Sequence, residues 1–364
     1  MHITQLRLNH FRNFTETRIN PSASFNMIYG LNGAGKSSIL EAIHLLGYGR
    51  SFRTNKANTI IQTDALSATS FCKFQAQDGE QVLGASRSKA DGFVFNINAE
   101  KTRRISDIAK ILPIQIFTPQ SSDLILGAPM LRRRFIDWLV FHVEQSFIQS
   151  SKAFSSALEQ RNALLKMSFG KPVSWFSQQD VWSTIITKHG EIISQHRKHY
   201  LNALNGQLKA LYREFKPDVE IELRYNLGWD SGCRLEEAID GRLDKDIARG
   251  NTSSGPHKAD IQFLVNGKSA SEYLSRGQLR VLVSLLLVAQ VRLLKQCTGK
   301  SCIFLVDDIA AELDVGTREF FLDTIVAENA QVFVTAIEKQ QLSFAEKYNN
   351  KKVFHVKHDH VNEE

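Results

Sequence analysis

The chain's 364 residues are 43% hydrophobic and 23% charged, which excludes a disordered polymer and leaves room for one large domain or two to three smaller ones. The longest apolar stretch, residues 281–291, is too short to span a bilayer, and the alternating start MHITQLRLNHF carries no apolar leader. Four cysteines without a CxxC pair do not make a disulfide framework, so a soluble, cytoplasmic protein with no membrane partner is expected. The net charge is +7 and unevenly spread. Residues 1–60 hold seven basic side chains against two acidic ones, and residues 101–140 hold seven against three. Such clusters suit either a polyanionic partner or a solvated face.

Strand signals fill the first 120 residues. Leu6 and Leu8 alternate with polar neighbours, Phe25–Tyr29 is a short apolar run, and residues 70–75, 93–97 and 114–118 read similarly. One helix interrupts them, marked by Ile39, Ile43 and Leu46. From about Leu131 the period becomes helical, with Phe135, Trp138, Leu139 and Val143, then Phe154, Leu158 and Leu165. After a break at 170–172, a long helical region closes on Leu201, Leu204, Leu208 and Leu211, read as a packed hairpin rather than a coiled coil. Strands return at 219–225 and 261–265. Helix (278–294), strand (302–306), helix (317–326), strand (332–335), helix and strand (353–356) then alternate, which implies a parallel sheet. The expected organisation is an α/β head from both chain ends, 1–125 and 218–364, with an inserted all-helical arm or lid at 126–217.

Gly30-Leu31-Asn32-Gly33-Ala34-Gly35-Lys36-Ser37 matches G-x-x-x-x-G-K-[ST], between an apolar strand and an amphipathic helix. The glycines let successive backbone N–H groups turn toward phosphate oxygens, and the helix start at Ser37 and Ser38 adds unpaired N–H groups. Lys36 is placed to reach the β- and γ-phosphates of ATP, and the Ser37 hydroxyl to ligate Mg²⁺. A second constellation, Cys302-Ile303-Phe304-Leu305-Val306-Asp307-Asp308, suits a buried strand presenting acids at its C-terminal edge. There Asp307 would hold the metal and Asp308 would orient or deprotonate the attacking water. Leu274-Ser275-Arg276-Gly277-Gln278 opens the apolar helix, either as a plain cap or as a second phosphate clamp. Loop, serine-glycine-glutamine signature and acidic strand, in that order, resemble an ABC-type P-loop ATPase.

Further segments carry a closer resemblance. They are Phe11-Arg12-Asn13-Phe14, Leu40-Glu41-Ala42-Ile43, Gly49-Arg50-Ser51-Phe52-Arg53-Thr54, Gly127-Ala128-Pro129 and Arg132-Arg133-Arg134-Phe135-Ile136-Asp137. Gln160-Arg161-Asn162, Leu164-Leu165-Lys166, Gly255-Pro256-His257-Lys258-Ala259-Asp260 and Glu312-Leu313-Asp314 complete the series. Over nearly its whole length the chain resembles the RecF-like recombination-repair ATPases of the ABC/SMC-like group. That resemblance implies ATP sandwiched in a homodimer, with Ser275 and the N–H groups near Gly277 and Gln278 of one copy meeting the γ-phosphate held by the other. It makes Glu312–Asp314 the interface loop. It also implies binding of single- and double-stranded DNA at gaps, and help for RecA loading together with RecO and RecR. Arg50, Arg53, Arg132, Arg133 and Arg134 are the candidate contacts to DNA phosphates.

Three positions depart from the broader ABC pattern. Asp308 stands where Glu is usual, no switch histidine follows the 332–335 strand, and Gln120 replaces the glutamate RecF-like chains carry after Thr-Pro. The first two point to slow hydrolysis suited to a timed switch, and the expected activity is a weak, DNA-stimulated ATPase with no covalent chemistry on DNA. Either Gln115 or Gln120 is the metal-sensing glutamine, and His257 serves the site or the fold. The competing reading is an ABC/SMC-like head of another machine. A transporter subunit, however, lacks an insert of this size, and a long-armed SMC chain needs far more than 238 residues between Ser37 and Ser275.

Overall fold

The computed structural model describes residues 1–364 and divides into two compact units, Met1–Ser121 with Arg276–Glu364, and Ser122–Ser275. At the centre of the first unit lies a mostly parallel sheet. Phe25–Tyr29 runs parallel to Lys351–Lys357 on one side and to Gln331–Ala336 on the other, followed by Ile303–Val306 and Ile114–Phe117. Strands covered on both faces must be apolar throughout, and Ile303–Val306 and Gln331–Ala336 are buried at every position. His360–Glu363 adds an antiparallel edge.

A second, antiparallel sheet is ordered Phe14–Ile19, His2–Phe11, Ser67–Ala76, Gly79–Ser88, Gly92–Ile97 and Glu100–Thr102. Its strands alternate, so one face is apolar. That face, with Leu6, Leu8, Cys72, Phe74, Leu83 and Phe95, shares a core with Ile39, Ile43 and Leu46 of the Lys36–Tyr48 helix. The 23-residue helix Arg276–Thr298 is long and apolar enough to cross a membrane, well beyond the 11-residue run noted above. Its apolar window is 72% buried inside the protein, which accounts for a helix hydrophobic all round.

The second unit contains the helices Pro129–Val143, Phe147–Met167 and Trp182–Phe215, as the periodicity predicts. It is not all-helical, and it does not stop at 217. Residues 218–275, expected in the head, belong here, because Ile221–Asn226, Asp260–Val265 and Lys268–Ser269 form their own antiparallel sheet on these helices. Asn205 of the long helix accepts from the Leu223 N–H (3.1 Å), and Arg132 of the first helix grips Asp260. Two short helices, Leu235–Asp240 and Leu243–Arg249, complete the unit. Fully buried Arg161 ties Asp246 (3.1 Å) and Thr252 (2.7 Å) to the second helix.

Candidate nucleotide-binding site

The loop at 30–37 leaves the C-terminal end of the central parallel strand and runs into the Lys36–Tyr48 helix. Gly30 (φ 153°) and Gly35 (φ 116°) take left-handed backbone conformations. A Cβ at Gly30 would lie 2.3 Å from the Val356 carbonyl oxygen, and one at Gly35 would lie 2.5 Å from Asn13 Nδ2. Both positions therefore demand glycine for conformation and for space. Leu31, Asn32 and Gly33 are exposed, Ala34 and Gly35 half-buried. Asn13 Nδ2 donates to the Ala34 carbonyl (2.9 Å) and pins the loop from outside. No side chain caps the helix that follows, so its first N–H groups are not claimed by a capping residue. Ser38 is buried, with its N–H bonded to Gly35 O (3.0 Å).

Lys36 folds back on the loop, its Nζ donating to the carbonyls of Gly30 (2.7 Å) and Leu31 (3.0 Å). Burial lowers its pKa, while the charges of Asp308 and Asp307 pull it back up. The Ser37 hydroxyl donates to Asp307 Oδ1 (2.8 Å). Thr335, at the end of the neighbouring strand, donates its hydroxyl to the same oxygen (2.8 Å), and its Oγ1 accepts the Asp308 N–H (2.8 Å). Asp308 itself adopts φ 52°, ψ 45°, a left-handed conformation that a non-glycine residue rarely holds. The loop and the two acids thus converge as the motifs require. Thr335 carries no signal of its own in the sequence, since a β-branched residue inside an apolar run reads simply as strand.

Behind the loop, buried Glu41 gathers three of the segments named above. Arg12 grips it through Nε (2.8 Å) and a second nitrogen (2.6 Å), Ser51 donates to it, and Arg53 lies 3.5 Å away. Beside it His44 is fully enclosed, its Nδ1 paired with the Arg50 carbonyl (2.9 Å), and burial drives its pKa down to about 3.

Ser275, Gly277 and Gln278 are exposed at the start of Arg276–Thr298. Within that helix Arg280 pairs with Glu312 (2.6 Å), whose pKa burial raises. Asp314 caps the Val315–Ala327 helix, accepting from the Thr317 N–H (3.0 Å). Gln115 is buried and donates to Gln290 Oε1 (2.7 Å), whereas Gln120 is exposed. His257 is bonded within the second unit to the Thr252 carbonyl (2.9 Å), and burial lowers its pKa to about 4.

The arginine candidates separate. Arg50, Arg53 and Arg134 are exposed. Arg132 is a correction: it is buried, bidentate to Asp260 (2.6 and 3.1 Å), and bonded to the carbonyls of Ile125 and Gly127. Four of its five N–H donors are bonded to protein oxygens, so it serves the packing of this unit rather than an open phosphate contact. Arg133 is half-buried and donates to the Ala259 carbonyl (2.8 Å).

The family profile described as "RecF/RecN/SMC N terminal domain" matches residues 2–362. The DNA replication and repair protein RecF of Pseudoalteromonas atlantica is 45% identical over 365 residues, covering 100% of both chains. That of Shewanella sediminis is 40% identical, covering 99% of each. A solved structure of the recombination mediator protein RecF with ATP, in the RecFOR pathway, superimposes with a TM-score of 0.87 at 25% identity. The match covers 100% of this chain and 97% of that one. An Smc head domain from Pyrococcus furiosus, bound to the C-terminal domain of ScpA, shares the fold at a TM-score of 0.59 and 17% identity. It covers 100% of this chain and 96% of that one.

Proposed function

The chain belongs to the RecF family of RecF/RecN/SMC ATPase heads, and from that premise we propose that it is an ATP-switched DNA clamp of replication and repair. The observation that carries the reading is the Ser37–Asp307–Thr335 network at the mouth of the 30–37 loop. It sets a phosphate cradle and two carboxylates at the C-terminal ends of parallel strands, where ligands of α/β sheets bind.

The entering triphosphate replaces bonds the loop now makes with itself. Lys36 exchanges two backbone carbonyls for β- and γ-phosphate oxygens, and the helix N–H groups receive the β-phosphate. Mg²⁺, when bound with the nucleotide, neutralises phosphate charge. One hydroxyl (Ser37) and one carboxylate (Asp307), with no cluster of three acidic, His or Cys ligands nearby, fit an ion that keeps waters and phosphates in its shell. Asp308, held by Thr335, orients or deprotonates the attacking water. A carboxylate one methylene shorter than glutamate, with no switch histidine, suits slow, DNA-stimulated hydrolysis. Exposed Gln120 takes the metal-sensing role, since Gln115 is buried with its amide nitrogen bonded to Gln290.

Exposed Ser275, Gly277 and Gln278 complete the site on a second copy, meeting the γ-phosphate bound there. ATP then favours association because it binds only the closed pair, and hydrolysis releases it. The closed homodimer holds DNA at single-strand/double-strand gaps in the cytoplasm and, with RecR and RecO, promotes RecA loading. Sedimentation velocity tests this reading. ATP shifts the wild type from monomer to dimer, while Lys36→Arg and Ser275→Arg remain monomeric, the latter still binding nucleotide. A profile indifferent to ATP in the wild type overturns it.

A further inference from the structure

The antiparallel sheet of the first unit turns one face to the Lys36–Tyr48 helix, and its other face carries a cationic row that no ion pair neutralises. Strand register sets Arg18 opposite Arg7, Arg7 opposite Phe71, and Phe71 opposite Gly84. Gly84 in turn faces Asn96, and Asn96 faces Lys101. These six residues form one line across six strands, about 24 Å long at about 4.8 Å per strand. Arg7, Arg18 and Lys101 are exposed, and none of them enters a salt bridge. Arg7 lies over the Phe71 ring (5.9 Å), and Lys73, on the same face, is paired with Glu80 (3.0 Å). Glu16, opposite Asn9, is the other carboxylate on this face.

Two features of the row work against stability. Like charges directly opposite each other, as Arg7 and Arg18 are, repel. A glycine inside a strand weakens it and often marks a place where another backbone approaches closely. Gly84 is buried between Phe71 and Asn96 of this row, yet neither its backbone nor its neighbours demand glycine. Its φ is not positive, and a Cβ there would meet nothing nearer than 3.9 Å. The row therefore has positive charge at both ends and an uncharged middle with no side chain at Gly84.

The geometry points to this face as a binding surface for the sugar-phosphate backbone of duplex DNA. Arg7 and Arg18 at one end and Lys101 at the other pair with phosphates, and the middle of the row, low where Gly84 has no side chain, lies beneath the backbone between them. A duplex presents one charge per about 1.7 Å of axis, which matches unpaired cations spread along a shallow line. The inference rests on the DNA-binding reading and gives it a surface distinct from Arg50 and Arg53.

The test is duplex binding by the full chain with ATP, read by fluorescence anisotropy across a salt series. Arg7→Ser with Arg18→Ser weakens binding about tenfold at 0.1 M salt and reduces the slope of log affinity against log salt by about 2. Arg7→Lys with Arg18→Lys restores both. Gly84→Thr, which suits a strand and changes no charge, also weakens binding while ATP-driven dimerisation is kept. Unchanged affinity and slope in the serine pair and in Gly84→Thr, with loss in Arg50→Ser and Arg53→Ser, overturn this surface and leave the DNA-binding reading standing. A wild type that dimerises with ATP yet binds no duplex overturns both.

Discussion

Thr335 joins the two acids of the site with a single hydroxyl, donating to Asp307 and accepting from the Asp308 backbone. Replacing it with valine keeps the shape and removes both bonds, leaving a part-buried N–H unmet at a cost of about 1–3 kcal/mol. Asp308 holds a left-handed conformation that this bond supports, so its carboxylate shifts. Thr335→Val is expected to lower the rate of phosphate release about tenfold, equivalent to about 1.4 kcal/mol of barrier, with nucleotide affinity little changed. Single-turnover hydrolysis beside equilibrium titration with a fluorescent ATP analogue checks it, and an unaltered rate excludes a positioning role. At this scale the sequence was most legible where neighbours in sequence are neighbours in space. The 30–37 loop is one unbroken motif, and Asp307 and Asp308 stand together at the end of one apolar strand. Thr335 and Asn13 act across strands, and no spacing rule connects them to the residues they hold.

Among the elements, the Pro129–Val143 helix shows how charge misleads without burial. Its Arg-Arg-Arg run looks like a basic patch, yet the three side chains point in different directions around the helix. Arg132 turns inward to Asp260, and Arg134 stays in solvent. Arg132→Ala removes the charged partner of Asp260 and the donor to two carbonyls, and is expected to destabilise the chain by about 3 kcal/mol. Urea unfolding measures that loss. The salt dependence of DNA binding, taken where the variant is folded, should match the wild type; a flattened slope would return Arg132 to the DNA interface. Long periodic helices and fully apolar strands were readable throughout. Gly79–Ser88 was not, because a strand of small and polar residues carries little contrast between its faces. The 218–275 region reads as part of the head, and belongs to the second unit, for a related reason. Its strands are as strand-like as those of the head, and only pairing, which is not local, tells which sheet they join.

Across the whole molecule, the two enclosed histidines link stability to pH. His44 in the first unit has a pKa near 3 and His257 in the second near 4, both depressed chiefly by burial. Above pH 6.5 folded and unfolded chains alike hold these rings neutral, and neither ring contributes. As pH falls below 6.5 the unfolded chain takes up protons that the folded one refuses, so stability declines toward pH 4 and below. At about 1.4 kcal/mol per tenfold difference in proton affinity, each ring costs about 2 kcal/mol between pH 7 and pH 5. Chemical denaturation at the two pH values measures the sum, and His257→Gln removes its share of the slope. An identical slope in that variant shows that the ring is not protected as described.

The order of strands in the parallel sheet also constrains how the protein is made. Phe25–Tyr29, which carries the phosphate loop, is bonded on one side to Gln331–Ala336 and on the other to Lys351–Lys357. Both neighbours leave the ribosome some 300 residues later, a wait of about 15–60 s at about 5–20 residues per second. Throughout that interval an apolar segment has unpaired edges, and the nascent chain has no pocket to stabilise with nucleotide. The topology therefore leaves the phosphate-loop strand unpaired until Gln331–Ala336 and Lys351–Lys357 have emerged, whatever the order in which the rest of the chain folds.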